Sequence, residues 1–209
     1  MICAAPPSSI TVPRAKDKSE LESYRAKRDF KATSEPSGEA TRPAAEGHRF
    51  VVQEHHATRL HWDLRLEHEG VLASWAIPNG IPATPADNRL AVHTEDHPLE
   101  YLEFHGEIPK GQYGAGTMSI WDQGTYELHK WEERKVEITF HGERLSGRYG
   151  LFSIGRNGDS ANDWMIHRMD PPADPDREPM PERIIPMMAR PSSTASCMPS
   201  APISPRTSG

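Results

Sequence analysis

The middle of the chain alternates. His61-Trp62-Asp63-Leu64-Arg65-Leu66-Glu67 sets polar against apolar residues without a break, the period of a strand with one face in a core. Phe50-Val51-Val52 is an aromatic and β-branched run. Further strand patterns follow at Arg89 to Val92, at Thr117 to Trp121, at Val136, Ile138 and Phe140, at Tyr149 and Leu151 with Phe152 one step off, and at Trp164-Met165-Ile166. Turn formers divide these runs, at His68-Glu69-Gly70, Asp122-Gln123-Gly124 and Arg156-Asn157-Gly158-Asp159. Many short strands with little helix between them predict a mainly all-β fold, an antiparallel barrel or sandwich. Before them, Leu21, Tyr24 and Phe30 are spaced loosely like one helical face, with Ser19 as a cap, so a short helix is expected near 19–31.

Composition divides the 209 residues into three. All 11 His and all five Trp lie between His48 and His167, while ten of the 20 Pro lie in Pro171 to Pro205. Residues 1–46 are therefore expected to form a flexible, partly helical arm, 47–171 a single folded domain, and 172–209 a disordered Pro- and Ser-rich tail. The overall hydrophobic share of 35% is low because the tails dilute a normal domain. The net charge of −6 divides as +1, −7 and 0 over the three parts. Within the arm, Arg14 to Lys31 carries a local +3, which suits either a solvated segment or contact with a polyanion. No apolar run is long enough to span a bilayer, and Met1 to Ser9 makes a poor signal peptide. Cys3 and Cys197 sit near opposite ends, so a disulfide framework is not expected and a reducing cytoplasm fits.

The strand from His61 to Glu67 also carries the candidate chemistry. Its alternation puts His61, Asp63, Arg65 and Glu67 on one face, each about 6–7 Å from the next. His61 and Asp63 can both reach one divalent metal, and Arg65 an anion bound beside it. His55, six residues before His61, offers a third ligand from a neighbouring loop. Two imidazoles and a carboxylate with open positions suit a catalytic rather than a structural metal. The plain alternative is the solvent face of a half-buried strand. A second cluster, Arg89-Leu90-Ala91-Val92-His93-Thr94-Glu95-Asp96-His97-Pro98-Leu99, adds Arg89 as a clamp for phosphate oxygens and His97 as a proton donor or charge stabiliser. Pro98 should hold His97 extended. The glycine-rich stretch from Ile108 to Gly116 matches neither a Walker loop nor a dinucleotide fingerprint, and reads as a tight loop into the next strand.

In order along the chain, Gln53-x-His55-x-Ala57-x-Arg59-Leu60-His61-x-Asp63-x-Arg65-Leu66-Glu67, then Arg89 to Val92 with Glu95-Asp96-His97-Pro98, then Ile108-Pro109 to Gly116 and Trp121-Asp122-x-Gly124 resemble the 3′-phosphoesterase module of bacterial DNA ligase D and its stand-alone relatives. Leu21-x-x-Tyr24-x-x-Lys27-Arg28-Asp29-Phe30 and Thr33-x-Glu35-Pro36 resemble the stretch before that module. The resemblance implies a compact β-barrel and a manganese (Mn²⁺) site. It implies removal of a 3′-ribonucleotide to leave a 3′-phosphate, then of that phosphate to leave a 3′-hydroxyl. It implies His55, His61 and Asp63 as metal ligands, Arg65 and Arg89 on the phosphate, His97 in catalysis, and Gln53, Glu95 and Tyr101 in support. The expected partners are DNA or DNA/RNA primer–template 3′ ends and a separate ligase, polymerase or end-binding repair protein, in the cytoplasm of a prokaryote with no membrane contact. Asn79, His105, His167 and His56 depart from residues common in that family, and loss of a cation at Asn79 touches substrate contact. Two further readings stand beside this one: a catalytically weak module that binds DNA ends or a ligase, and an iron oxygenase using a His-x-Asp facial triad.

Overall fold

The computed structural model describes residues 21–38, 48–155 and 160–171. Nine strands form one sheet: β1 (Arg49–His56), β2 (Leu60–His68), β3 (Val71–Ile77), β4 (Asn88–His93), β5 (Gly106–Ile108), β6 (Gly116–Glu132), β7 (Lys135–Gly142), β8 (Ser146–Ser153) and β9 (Asp163–Arg168). Pairing runs β1-β2-β3-β4-β9-β8-β7-β6, and β6 returns to β1. Eight antiparallel strands thus close a barrel, and β5 adds to the start of β6. Closure leaves no free edge within those eight. The expected all-β barrel is what the chain forms.

The strand patterns explain the layers. In β2, Trp62, Leu64 and Leu66 point into the barrel, where they meet Phe50, Val52, Trp75, Ile138, Phe140 and Leu151. The β2–β3 hairpin turns at Glu69 and Gly70, both with positive φ, as a two-residue loop of the mirror-image type requires. Asp122-Gln123-Gly124, expected as a turn, instead lies inside the long strand β6. Gly124 is there because a side chain would meet the His141 carbonyl oxygen at 2.4 Å. Asp122 is there because its buried carboxylate accepts hydrogen bonds from the backbone N–H groups of Glu143, Arg144 and Leu145, at 3.2, 3.0 and 2.6 Å.

A second apolar layer lies outside the barrel wall. Val51, Leu72 and Met118 on the outer face pack under Leu99, Tyr101, Leu102 and Phe104 of the segment after β4, and under Tyr24 of the N-terminal segment. That segment holds one short helix, α1 (Glu22–Ala26), within the expected span but much shorter. Residues 21–38 are packed rather than solvated. Tyr24 is fully buried, its hydroxyl donates to the Pro36 carbonyl at 2.6 Å, and Leu21 and Phe30 join the same layer. The face Leu21-Tyr24-Phe30 finds its partner on the barrel instead of remaining an open arm. Pro98 acts as expected: His97 is extended and bridges Leu72 in antiparallel fashion. Ser19, Cys3, Cys197, the turn at 156–159 and the tail from 172 lie outside the described residues.

Asp122 provides a test of the fold. Asp122→Ala removes the acceptor of three backbone donors, of which that of Leu145 is buried, and should lower unfolding free energy by about 1–3 kcal/mol, read as a lower urea midpoint at unchanged m-value. Asp122→Asn, which keeps one acceptor oxygen, should fall between. Equal midpoints for all three proteins would remove the loop-anchoring role.

Candidate metal centre and its cavity

Register brings the candidate ligands together. His55 pairs with His61 across β1 and β2, and Gln53 with Asp63. Paired residues share a face, so two imidazoles and a carboxylate converge on the outside of the barrel. One donor atom from each of His55, His61 and Asp63 lies within 4.8 Å of the other two. His55 is therefore on a strand beside them, not on a loop folding over.

The hydrogen bonds fix which nitrogens face the centre. His55 Nε2 donates to the Gly114 carbonyl at 2.9 Å, so in the neutral ring Nδ1 carries a lone pair. That Nδ1 is buried, has no hydrogen-bond partner, and sits 3.5 Å from an Asp63 carboxylate oxygen. His61 Nδ1 donates to the Arg59 carbonyl at 2.9 Å, which leaves Nε2 facing the other Asp63 oxygen at 3.6 Å. Two lone pairs directed at a carboxylate repel each other unless a cation lies between them. Second hydrogen bonds from ligand imidazoles to carbonyls are how metal sites orient their histidines. The donor set fits a divalent metal. Asp63 is in the ionised form such a site needs: burial pushes its pKa up, but the charge of Arg65, first among the opposing influences, holds it below the ordinary carboxylate range.

Behind the triad, Arg65 is almost fully buried. Its Nε donates to Gln53 at 2.7 Å, Nη1 to Ser74 at 3.0 Å and Nη2 to Asp63 at 3.2 Å, and its guanidinium lies over the Tyr101 ring at 4.6 Å. Gln53 spends its amide donors on the Tyr101 and Phe104 carbonyls, which pins that segment to the barrel. The expected solvent face of β2 is thus a buried polar layer.

The triad and Arg65 line a cavity of about 250 Å³ together with Arg28, Glu35, Glu95, His97, Tyr101 and Tyr113. Arg28 and Glu35 had no assigned role in the sequence. Arg28 donates to Glu35 at 2.7 Å, to Glu95 at 3.0 Å and to His97 Nε2 at 3.2 Å. The Tyr101 hydroxyl donates to Glu35. Burial raises the Tyr101 pKa, so the phenol stays protonated as a donor. Glu95 is pushed up by burial but drawn below its ordinary value overall by Lys27 and Arg28.

His97 lines the cavity with both ring nitrogens engaged. Its Nδ1 donates to the Glu95 carbonyl at 2.8 Å, and Nε2 accepts from Arg28. Burial first, and the positive charges of Arg65 and Arg28 after it, hold its pKa well below the usual histidine value. At neutral pH the ring is uncharged here, and its Nε2 is the acceptor for Arg28. Arg89 is not brought to the cavity. Its guanidinium donates to the Asn79 carbonyl at 3.0 Å and lies 3.6 Å from Asp87. His56, Asn79 and His105 are exposed, and half-buried His167 bonds Asn88.

Residues 53–153 match the family model described as the DNA Ligase D 3′-phosphoesterase domain. This part of the chain belongs to that family. The chain is similar to the multifunctional non-homologous end joining protein LigD of Mycolicibacterium smegmatis, 46% identical over 187 residues, which is 84% of this chain and 23% of the relative. It is 49% identical over 153 residues to the protein of the same name from Mycobacterium bovis, covering 71% of this chain and 20% of that one. The Pseudomonas aeruginosa LigD is 42% identical over 156 residues, 72% of this chain and 19% of the relative. The chain thus spans about a fifth of the length of the curated relatives it matches. The matched residues include His55, His61 and Asp63, the group able to hold a metal.

Metal binding is testable without turnover. A divalent ion at a hundred times its Kd should stabilise the wild-type fold by about 2.7 kcal/mol, seen as a rise in Tm. His55→Ala, His61→Ala and Asp63→Asn should each remove most of that rise, whereas His56→Ala should keep it. A rise of equal size in all four variants would place the metal elsewhere.

Proposed function

We propose that the protein is a metal-dependent phosphoesterase that heals DNA 3′ ends, first removing a terminal 3′-ribonucleotide and then the remaining 3′-phosphate. The observation that carries this reading is the junction, in one cavity, of the His55-His61-Asp63 donor group with the guanidinium groups of Arg65 and Arg28. Metal donors beside fixed cations suit an anion whose phosphorus must be attacked by water.

In this reading His55, His61 and Asp63 hold a divalent ion, with manganese the choice that the family resemblance suggests. Bound there, it would polarise a phosphoryl oxygen and lower the pKa of a coordinated water. Arg65 presents a guanidinium whose orientation is set by Gln53, Ser74 and Asp63, so little side-chain entropy is lost when it meets phosphate oxygens. Arg28 completes the clamp from the opposite wall. Neutral His97 orients Arg28 through its acceptor nitrogen. Burial first and the arginines after it keep the ring neutral; an arriving phosphate offsets the arginines' share and draws the Arg28 N–H from Nε2, so that nitrogen becomes able to hold a proton near the leaving oxygen. In the first step water replaces the O5′ of the terminal ribonucleoside on phosphorus; in the second it replaces the O3′ of the primer. Glu95 and Tyr101 hold Arg28 and Glu35 in place, and Gln53 fixes Arg65. Arg89, held at Asn79 and Asp87, acts on a stretch of substrate beyond the cavity rather than on the reacting phosphate.

The substrates are DNA or mixed primer–template 3′ ends. A ligase or polymerase acting on the healed end is the natural partner, and the cytoplasm the setting. Among the described residues no helix is long and apolar enough to cross a membrane.

A labelled primer–template ending in one ribonucleotide, incubated with Mn²⁺, should yield a 3′-phosphate and then a 3′-hydroxyl. His61→Ala and Arg65→Ala should each reduce both products by at least a hundredfold, the scale of losing a group that acts on the transition state, about 10²–10³. Arg89→Ala should cost less than tenfold. Wild-type inactivity on these ends, with turnover that depends instead on iron and 2-oxoglutarate, would transfer the site to an oxygenase.

A further inference from the structure

The glycine-rich loop between β5 and β6 has two neighbouring residues with different duties. Gly114 offers the carbonyl that orients His55. Tyr113, immediately before it, lines the same cavity as the metal donors yet is 49% exposed, one of the few large hydrophobic side chains on the described surface. We propose that Tyr113 is a stacking platform for the base of the terminal nucleotide, and that it gives the site its preference for a nucleic-acid end over a bare phosphate ester. This deepens the phosphoesterase reading and rests on it.

Three observations carry the proposal. The first is size. A cavity of about 250 Å³ is smaller than the roughly 300–1,000 Å³ that encloses a drug-sized ligand. A phosphate and its sugar fill it, and the base must remain at the rim, where Tyr113 stands. The second is charge. Lys27 Nζ lies 4.9 Å and Arg28 Cζ 5.4 Å from the Tyr113 ring centroid. The cations lie over the ring and back one side of it, which leaves its exposed part for a base; aromatic rings stacking bases next to positive charge are what hold single-stranded nucleic acid. Lys27 is 40% exposed and anchored to Glu95 at 3.0 Å, so it is fixed but reachable by the phosphodiester preceding the end. The third is preorganisation. Gly111 and Gly114 adopt φ of +91° and +75°, which only glycine takes without strain. Tight-turn hydrogen bonds from Gln112 N to Pro109 O and from Ala115 N to Gln112 O, both 3.2 Å, close the loop. Gly116 approaches the His56 carbonyl so closely that a Cβ would sit 2.5 Å from its oxygen. The platform is built before the substrate arrives, so little ordering opposes stacking.

The test uses the full chain and two readouts. The first is KM for 3′-phosphate primer–templates whose terminal nucleotide is either normal or abasic. Wild type should favour the base-bearing end by roughly tenfold, the scale of one base–aromatic stack. Tyr113→Ala should bring that ratio close to one, while Tyr113→Phe and Tyr113→Trp preserve it. The second readout is fluorescence of a terminal 2-aminopurine on a healed 3′-hydroxyl end, which stacking quenches. Binding should quench it in wild type and in Tyr113→Phe, but not in Tyr113→Ala. Quenching that persists in Tyr113→Ala, or an unchanged KM ratio, overturns the platform while any observed phosphatase activity leaves the phosphoesterase reading standing. If wild type hydrolyses neither end yet quenches through Tyr113, the platform stands and the phosphoesterase reading falls.

Discussion

A guanidinium buried on the outside of a barrel wall organises this molecule. Arg65 projects from β2 away from the apolar interior, and yet it is 3% exposed. A buried charge costs several kcal/mol unless it is paired and its hydrogen-bonding groups are met. The groups that meet it form one continuous chain. Asp63, Gln53 and Ser74 bond it directly. Gln53 ties down the carbonyls of Tyr101 and Phe104. Tyr101 bonds Glu35, Glu35 bonds Arg28, and Arg28 reaches Glu95 and His97. The barrel, the segment after β4 and the N-terminal segment are thus joined by the same bonds that shape the cavity. Truncating any member leaves a buried group unpaired, so folding of the outer layer and geometry of the site are inseparable.

That coupling also explains what could be read from the residues alone. The barrel and the pair His61 and Asp63 were legible because both follow from period two, whereas His55 was expected on a loop. Alternation along β2 set Asp63 opposite Leu64, and a neighbouring strand needed only ordinary pairing to bring His55 across from His61. β3 left no such trace: in Val71–Ile77 every residue but Ala76 is buried, so its sequence does not alternate. Asp122 and Gly124 mimic a turn because a loop anchor and a close backbone approach demand the same residue types as a turn does. The cover over β2 could not be foreseen from local pattern. Arg28 meets Glu95 and His97 across 67 and 69 residues of chain, and a helix with mixed charges looks solvated until its partner is known. Arg89, expected beside the phosphate, does not line the cavity. β3 separates its strand from β2, and Ala91 on its own face of β4 points into the core, which sends Arg89 to the strand end and to Asn79.

The electrostatics of the cavity follow from this network rather than from the net charge of −6. Among its fixed groups, Arg28, Arg65 and nearby Lys27 face Asp63, Glu35 and Glu95. Three positive and three negative charges nearly cancel, and His97 adds none, since burial and the arginines keep it neutral. Such a cavity alone has little attraction for a phosphate, and the acidic remainder of the domain opposes a polyanion at long range. A divalent ion between His55, His61 and Asp63 changes the balance by two charges where the dielectric is low and screening weak. In this arrangement the ion therefore governs substrate affinity as well as chemistry. The carboxylates that appear to work against an anionic ligand are what keep the arginines in place, unpaired with each other and pointing at one spot, until that ion is present.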